Sequence, residues 1–316
     1  MNLLSSTSVF SFFTLISRVL GYIRDILIAI FLGATIYADA FFVAFRLPNT
    51  FRRLFAEGTF NAAFIPSYTT EKIKNKKTGK KFADDVLSLL VLILFFLVLI
   101  AEIFTPYLVY LIAPGFLENS QKFNLAVEFT RITFPFLLFV SLSSFFSGIL
   151  NSNNRFAAAA AAPIILNIVL ILSLLLSYLL NLSFAKNLSY GVVLSGLFQL
   201  IFLMYFTKKY YRPSIKFKIK ITAKEKFFLK KLLPSIFSSG VTQVNILIGT
   251  IIASFQAGAV SYLYYADRVY QINLAIAGIA VGTVSLPLLT AALKKKNTLR
   301  VFNIQNKSIE LSLLLS

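Results

Sequence analysis

Long apolar runs broken by short polar stretches dominate this chain. A helix that crosses a bilayer needs about 20 mostly apolar residues. Eight segments meet that pattern, at roughly 8–32, 37–68, 85–112, 123–150, 157–181, 187–207, 228–255 and 259–292, and a ninth begins near 301. The purest is 86–104, VLSLLVLILFFLVLIAEIF. The segment 37–68 is different, being amphipathic and carrying several charges. Pro48 lacks an N–H and is expected to kink it, and Gly21 and Gly33 to loosen the first segment. The pattern predicts an all-α, polytopic transmembrane helix bundle. No cationic residue precedes the first apolar stretch, so it reads as a retained span rather than a cleaved leader.

The polar stretches alternate in charge. Residues 72–81, KIKNKKTGKK, carry six Lys, 207–231 carry ten basic residues, 294–300 carry four and NSNNRF carries Arg155. The intervening connections hold only Lys122 and Lys186. A split of 21 against 2 that follows every crossing is a positive-inside pattern, and it predicts a cytoplasmic N-terminus. The long basic connection is the one candidate boundary: 1–207 as six spans, 208–231 as a cytoplasmic loop, and 232–316 as the start of a second lobe. No convincing internal repeat is visible.

Composition narrows the chemistry. The chain is 58% hydrophobic with mean hydropathy +0.79, against about 45–50% apolar for an ordinary soluble domain. Its net charge of +19 sits mostly in connections between spans, which argues for membrane topology and against nucleic acid as partner. It contains no Cys and no His, which removes thiolate chemistry, Cys- and His-type metal sites and His-based catalysis. No P-loop and no HExxH occurs. The residues read as a binding and translocation apparatus, with no enzyme activity and no cofactor.

Eight basic residues remain inside spans: Arg18, Arg24, Arg46, Arg52, Arg53, Arg131, Arg268 and Lys307. Each Arg at mid-bilayer costs about 2.5–3.5 kcal/mol on insertion scales. They persist where they face a hydrated cavity or pair with acids, and Asp25, Asp39, Glu57, Glu128 and Asp267 are the candidate partners. Arg18 and Asp25 are seven apart and share a helical stripe, with Arg24 pointing elsewhere; Asp39, Arg46 and Arg53 repeat the same spacing, and Arg53–Glu57 is an i,i+4 pair. Arg131 lies near Glu128, where a snorkelling surface role competes with a functional one. Guanidinium grips phosphate or pyrophosphate in a bidentate fork, so a cationic cavity rich in Arg favours a diphosphate anion.

Residues 17–66, SRVLGYIRDILIAIFLGATIYADAFFVAFRLPNTFRRLFAEGTFNAAFIP, closely resemble the MurJ (MviN) family of lipid II flippases. APGF at 113–116, ITFPFLL at 132–138, ILNSNNRF at 149–156, YYADRVYQI at 264–272 and GTVSLPLL at 282–289 extend the resemblance along most of the chain. The resemblance implies a member of the multidrug/oligosaccharidyl-lipid/polysaccharide exporter superfamily. Its architecture would be an N-lobe of six helices plus the first helices of a C-lobe, working by alternating access in the bacterial cytoplasmic (inner) membrane. It implies lipid II, the undecaprenyl-pyrophosphate-linked disaccharide-pentapeptide, as substrate, with membrane lipid and wall-synthesis proteins as partners. The family's substrate-binding arginines fall on Arg18, Arg24, Arg52 and Arg268, and Asp25, Asp39, Arg53, Glu57 and Asp267 are the supporting charges. Family members have about fourteen spans, so the resemblance also implies a fragment or a truncated copy. Gln271 stands where some relatives carry an acid and Asn273 where Pro is usual, which leaves the helix after Arg268 open. Two alternatives stand beside the flippase: a cation-coupled exporter of the same superfamily, and a non-transporting copy acting as a scaffold for wall synthesis.

Overall fold

The computed structural model describes residues 3–56, 59–214, 243–273 and 297–315, with the single residues Lys226, Phe228, Lys230, Ser285, Leu289 and Ala292; side chains of 3–10, 51–59 and 315 lie outside that description. The described elements are helices. They are α1 (Leu3–Leu32), α2 (Ile36–Ala56), α3 (Thr59–Lys74), α4 (Lys76–Ile103), α5 (Thr105–Ile112), α6 (Ser120–Thr133), α7 (Phe136–Ser152), α8 (Phe156–Leu180), α9 (Phe184–Thr207), α10 (Gln243–Ala253), α11 (Ala259–Asn273) and α12 (Thr298–Leu315), with a 3-10 turn at Pro114–Glu118. The chain divides into two compact units, residues 1–261 and 262–316.

Four described stretches are long and apolar enough to cross a membrane: Lys76–Ile103, Ser120–Ser152, Phe156–Leu180 and Phe184–Thr207. Hydrocarbon leaves no water for backbone groups, so helices that satisfy them internally are the economical solution. Buried hydroxyls follow the same logic by donating back one turn: Thr130 to Ala126 O, Ser189 to Ala185 O and Thr207 to Leu203 O.

Several expected single spans are built from two helices. Segment 37–68 separates into α2 and α3, while α2 itself runs continuously through Pro48. Segment 85–112 breaks at Phe104, where Pro106 enters the second position of α5 without an N–H to give. Residues 72–81 are not a loop. Asn75 alone separates α3 from α4, its side chain accepting from Lys77 N at 2.9 Å, so the six Lys ride on two helix ends.

In the first unit α1 packs on α8, α8 on α9 and α9 on α7, while α2 lies against α6 and α7, and α3 against α4 and α7. Apolar side chains gain little from each other relative to lipid, so close backbone approach matters. Gly196 of α9 supplies it: a Cβ there would stand 2.6 Å from the Phe136 ring. An aromatic cluster of Phe60, Phe64, Phe82 and Phe145 joins α3, α4 and α7, and Phe228 fits into it edge-on to Phe60, Phe64 and Phe82. Just beyond α9, Tyr211 donates to Asp84 Oδ1 at 2.6 Å, and the Ser214 N–H donates to the same oxygen at 3.0 Å. Burial first, and that bond second, push the Tyr211 phenol above its ordinary value, so it remains a donor.

Candidate functional site

α1 carries the first charged cluster. Arg24 is only 6% exposed and Asp25 7%. Arg24 Nε and Nη2 both donate to Asp25 Oδ1, at 2.9 and 2.6 Å, in a side-on fork. Nη1 donates to Asn167 Oδ1 of α8 at 2.9 Å. The Asn167 amide in turn donates to the Ser17 carbonyl oxygen at 2.8 Å, so one side chain ties the arginine to the turn before it. Those bonds engage three of the five N–H groups of the guanidinium and leave two for an acceptor. Arg24 therefore folds back on its neighbour, and Arg18 does not share a buried stripe with Asp25: Arg18 is exposed.

α2 carries the second cluster. Asp39 is 0% exposed. Its Oδ1 accepts from Ser261 N at 2.9 Å and Ser261 Oγ at 2.6 Å, and its Oδ2 accepts from Gly258 N at 3.0 Å. The Gly258 and Ser261 N–H groups are free donors at the start of α11, whose partial positive charge a carboxylate satisfies, and the Ser261 hydroxyl adds a side-chain donor. Lys122 Nζ of α6 completes the carboxylate's surroundings at 2.6 Å from Oδ2. Nearby, the Gly115 N–H donates to Ser254 Oγ at 3.0 Å. A Cβ on Gly115 would lie 2.5 Å from the Ser254 carbonyl, so only glycine lets the APGF turn meet this backbone. Two polar anchors thus seat the α10–α11 connection on α2, α6 and the 3-10 turn.

Arg46 is half-buried and donates to Ile246 O at 3.4 Å, a long contact. The side chains of Arg52 and Arg53, with Glu57 and the expected Arg53–Glu57 pair, lie outside the described residues. Glu128 pairs with Lys186 at 2.7 Å, leaving Arg131 exposed on the same helix. In the second unit α11 runs unbroken through Gln271 to Asn273. Gln271 bridges the two charges before it: its Oε1 accepts from Arg268 Nη1 at 3.2 Å and its Nε2 donates to Asp267 Oδ2 at 2.6 Å. Arg268 also donates to Tyr264 Oη at 3.0 Å and lies over that ring at 4.8 Å. A cavity of about 800 Å3 in the first unit is lined by Leu47, Phe96, Ile100, Phe104, Phe134 and Leu247 among others, with no charged side chain among the described residues of its wall.

The family model described as "Lipid II flippase MurJ" matches residues 28–316. The chain belongs to the MurJ lipid II flippase family. Among MurJ relatives, "Probable lipid II flippase MurJ" of Rhizobium tropici is 41% identical over 309 residues, covering 96% of this chain and 58% of its own length. That of Rickettsia prowazekii is 38% identical over 319 residues, covering 100% of this chain and 62% of its own. The chain spans about three-fifths of the length of these MurJ relatives. The solved structure titled "Lipid II flippase MurJ, inward closed conformation" superposes with a TM-score of 0.81 at 27% identity, over 97% of this chain and 62% of that one. A multidrug resistance MATE family transporter, outward-facing, has a TM-score of 0.65 at 16% identity over 98% of this chain and 69% of that one, a likeness of fold alone. MurJ membership agrees with the all-α polytopic bundle expected from the apolar runs and with the exporter-superfamily architecture that the resemblance implies.

Neither Asn167 nor Lys122 stood out in the sequence. Asn167 is a lone amide inside IILNIVLIL, and such a residue in an apolar run signals an interhelical bond. Lys122 reads as one of two basic residues between spans, yet it is 5% exposed.

Proposed function

We propose that the chain is part of a lipid II flippase, which carries the lipid-linked peptidoglycan precursor across the bacterial cytoplasmic membrane by alternating access. The observation that carries this reading is Arg24, a buried guanidinium held rigid in an apolar environment by Asp25 and Asn167, with two N–H groups left over. A fixed fork of this kind suits a pyrophosphate, whose charge needs stabilisation once it leaves water. Family membership supports the choice of lipid II among diphosphate-bearing lipids. In this reading Arg18, Arg24, Arg52 and Arg268 bind the diphosphate, and Asp25, Asp39, Arg53, Glu57 and Asp267 are supporting charges. Residues 1–207 form the N-lobe, 208–231 a cytoplasmic connection and 232–316 the beginning of the second lobe. The N-terminus is cytoplasmic, and proteins of wall synthesis are the partners.

Alternating access needs contacts that can be made and broken. The grip of Asp39 on the first turn of α11 is one such contact. A cation-coupled exporter of the same superfamily calls for an acidic or apolar binding site; the apolar cavity of the first unit favours it and the buried Arg24 fork disfavours it.

The test is expression of the open reading frame containing this chain in bacteria depleted of their own flippase, reading lipid II exposure on the outer face. Arg24→Ala is expected to abolish exposure and Arg131→Ala to retain it. Equal exposure from both variants overturns the site. Growth support without lipid II exposure favours the scaffold.

A further inference from the structure

We propose that Lys122 is a positioning residue: its ammonium holds the Asp39 carboxylate in the orientation that clasps the start of α11. The argument begins with where Lys122 sits. Asn119 caps α6, its side chain accepting from Lys122 N at 3.0 Å, so Lys122 occupies the first turn of that helix. A cation there opposes the helix dipole and gains nothing for α6. The side chain is also only 7% exposed, although lysine is rarely buried unless paired.

Its surroundings explain both departures. The 3-10 turn at Pro114–Glu118 brings Phe116, itself 0% exposed, beneath the ammonium, with Nζ 4.1 Å from the ring centroid. The ring face attracts the cation and walls it from water. Nζ is left pointing at Asp39 Oδ2, 2.6 Å away. The two carboxylate oxygens then divide their work. Oδ2 takes Lys122 and the Gly258 N–H, and Oδ1 takes the Ser261 N–H and hydroxyl. Without the ammonium, a carboxylate wholly out of water keeps only neutral donors. Removing one member of a buried pair leaves an uncompensated charge, and the charge is relieved when Asp39 and the α11 tip part.

The chain contains no Cys, so a single introduced thiol reports on this contact without background. Val260 is 0% exposed beneath the clasp, and Val192 of α9 is 0% exposed away from it. In the detergent-solubilised chain carrying Val260→Cys, the maleimide labelling rate is measured with and without further substitutions. Lys122→Met is expected to raise it by ~10-fold or more. Adding Asp39→Asn to Lys122→Met is expected to slow it part of the way back, because the amide oxygen still accepts the Ser261 N–H and hydroxyl and needs no counter-charge, while its NH2 group faces the Gly258 N–H and loses that bond. An unchanged rate in Lys122→Met overturns the proposal. So does equal acceleration at Val192→Cys, which marks general loosening, and so does a double variant as fast as Lys122→Met. The readout involves no transport, so its failure is distinct from failure of the flippase reading.

Discussion

Asn167 accepts a hydrogen bond from Arg24 across the α1–α8 contact at 2.9 Å, while donating to the carbonyl of Ser17, one residue before Arg18. One amide thereby fixes the direction of a guanidinium buried in an apolar bundle. Asn167→Ala removes the acceptor and leaves a buried N–H of a charged group without it, at about 1–3 kcal/mol. The expected result is a lowered melting temperature in detergent, with lipid II exposure reduced but not to the level of Arg24→Ala. Asn167→Leu, of similar volume, is expected to behave like Asn167→Ala. Restored exposure with leucine would assign the position to packing instead.

Gly115→Ala tests the second anchor of the α10–α11 connection. Its Cβ meets the backbone of Ser254, which has no flexible end to swing away. The turn or the connection has to shift, and overpacking of this kind costs about 1–3 kcal/mol. Faster maleimide labelling of Val260→Cys is the expected signature. Ser254→Ala, which loses only the bond to the Gly115 N–H, is expected to produce a smaller change in the same assay.

Tyr211→Phe tests the tie between α4 and the end of α9. Asp84 keeps the Ser214 N–H but loses the phenol, at about 1–2 kcal/mol of stability. The ordinary phenol titrates near 10.0 and the folded one higher. The stabilisation is therefore fully present below pH 10 and drains away as pH rises towards the folded value. Thermal melts at pH 8 and pH 11 check the sign: the difference between wild type and Tyr211→Phe is expected to shrink at the higher pH.

Glu128→Gln is the contrast. The Glu128–Lys186 pair is about half exposed on both sides. Water and salt screen it, so the melting temperature is expected to stay put at 0.15 M and 0.5 M salt alike.

Apolar runs were readable because hydrocarbon demands about 20 of them in a row. The breaks were less so. Pro48 stands inside an unbroken α2, whereas Pro106 stands where α5 starts, and proline has the same missing N–H at both. What differs is whether the preceding turn continues, which is a matter of tertiary packing. Helical spacing grouped Arg18 with Asp25, but a long side chain can curl to its neighbour, and Arg24 reaches Asp25 that way. Partners far along the chain escape periodicity altogether. Lys122 and Asp39 lie on different helices, and no repeat of 3.6 residues links them.

The winding of 72–81 into the ends of α3 and α4 bears on how the region meets a protease. Six lysines in ten residues would offer trypsin a ladder of cuts if the segment hung slack. Here Thr78 Oγ1 bonds to Glu71 O, Lys74 pairs with Glu71, and Gly79 passes against the Lys72 backbone, so every scissile bond except the one between Lys74 and the extended Asn75 is held in the ends of two helices, a geometry that a cleft built for extended strands rejects. The densest run of cleavage sites in the first hundred residues is thus reduced to one open cut, after Lys74, with the others spared until the helices themselves come apart.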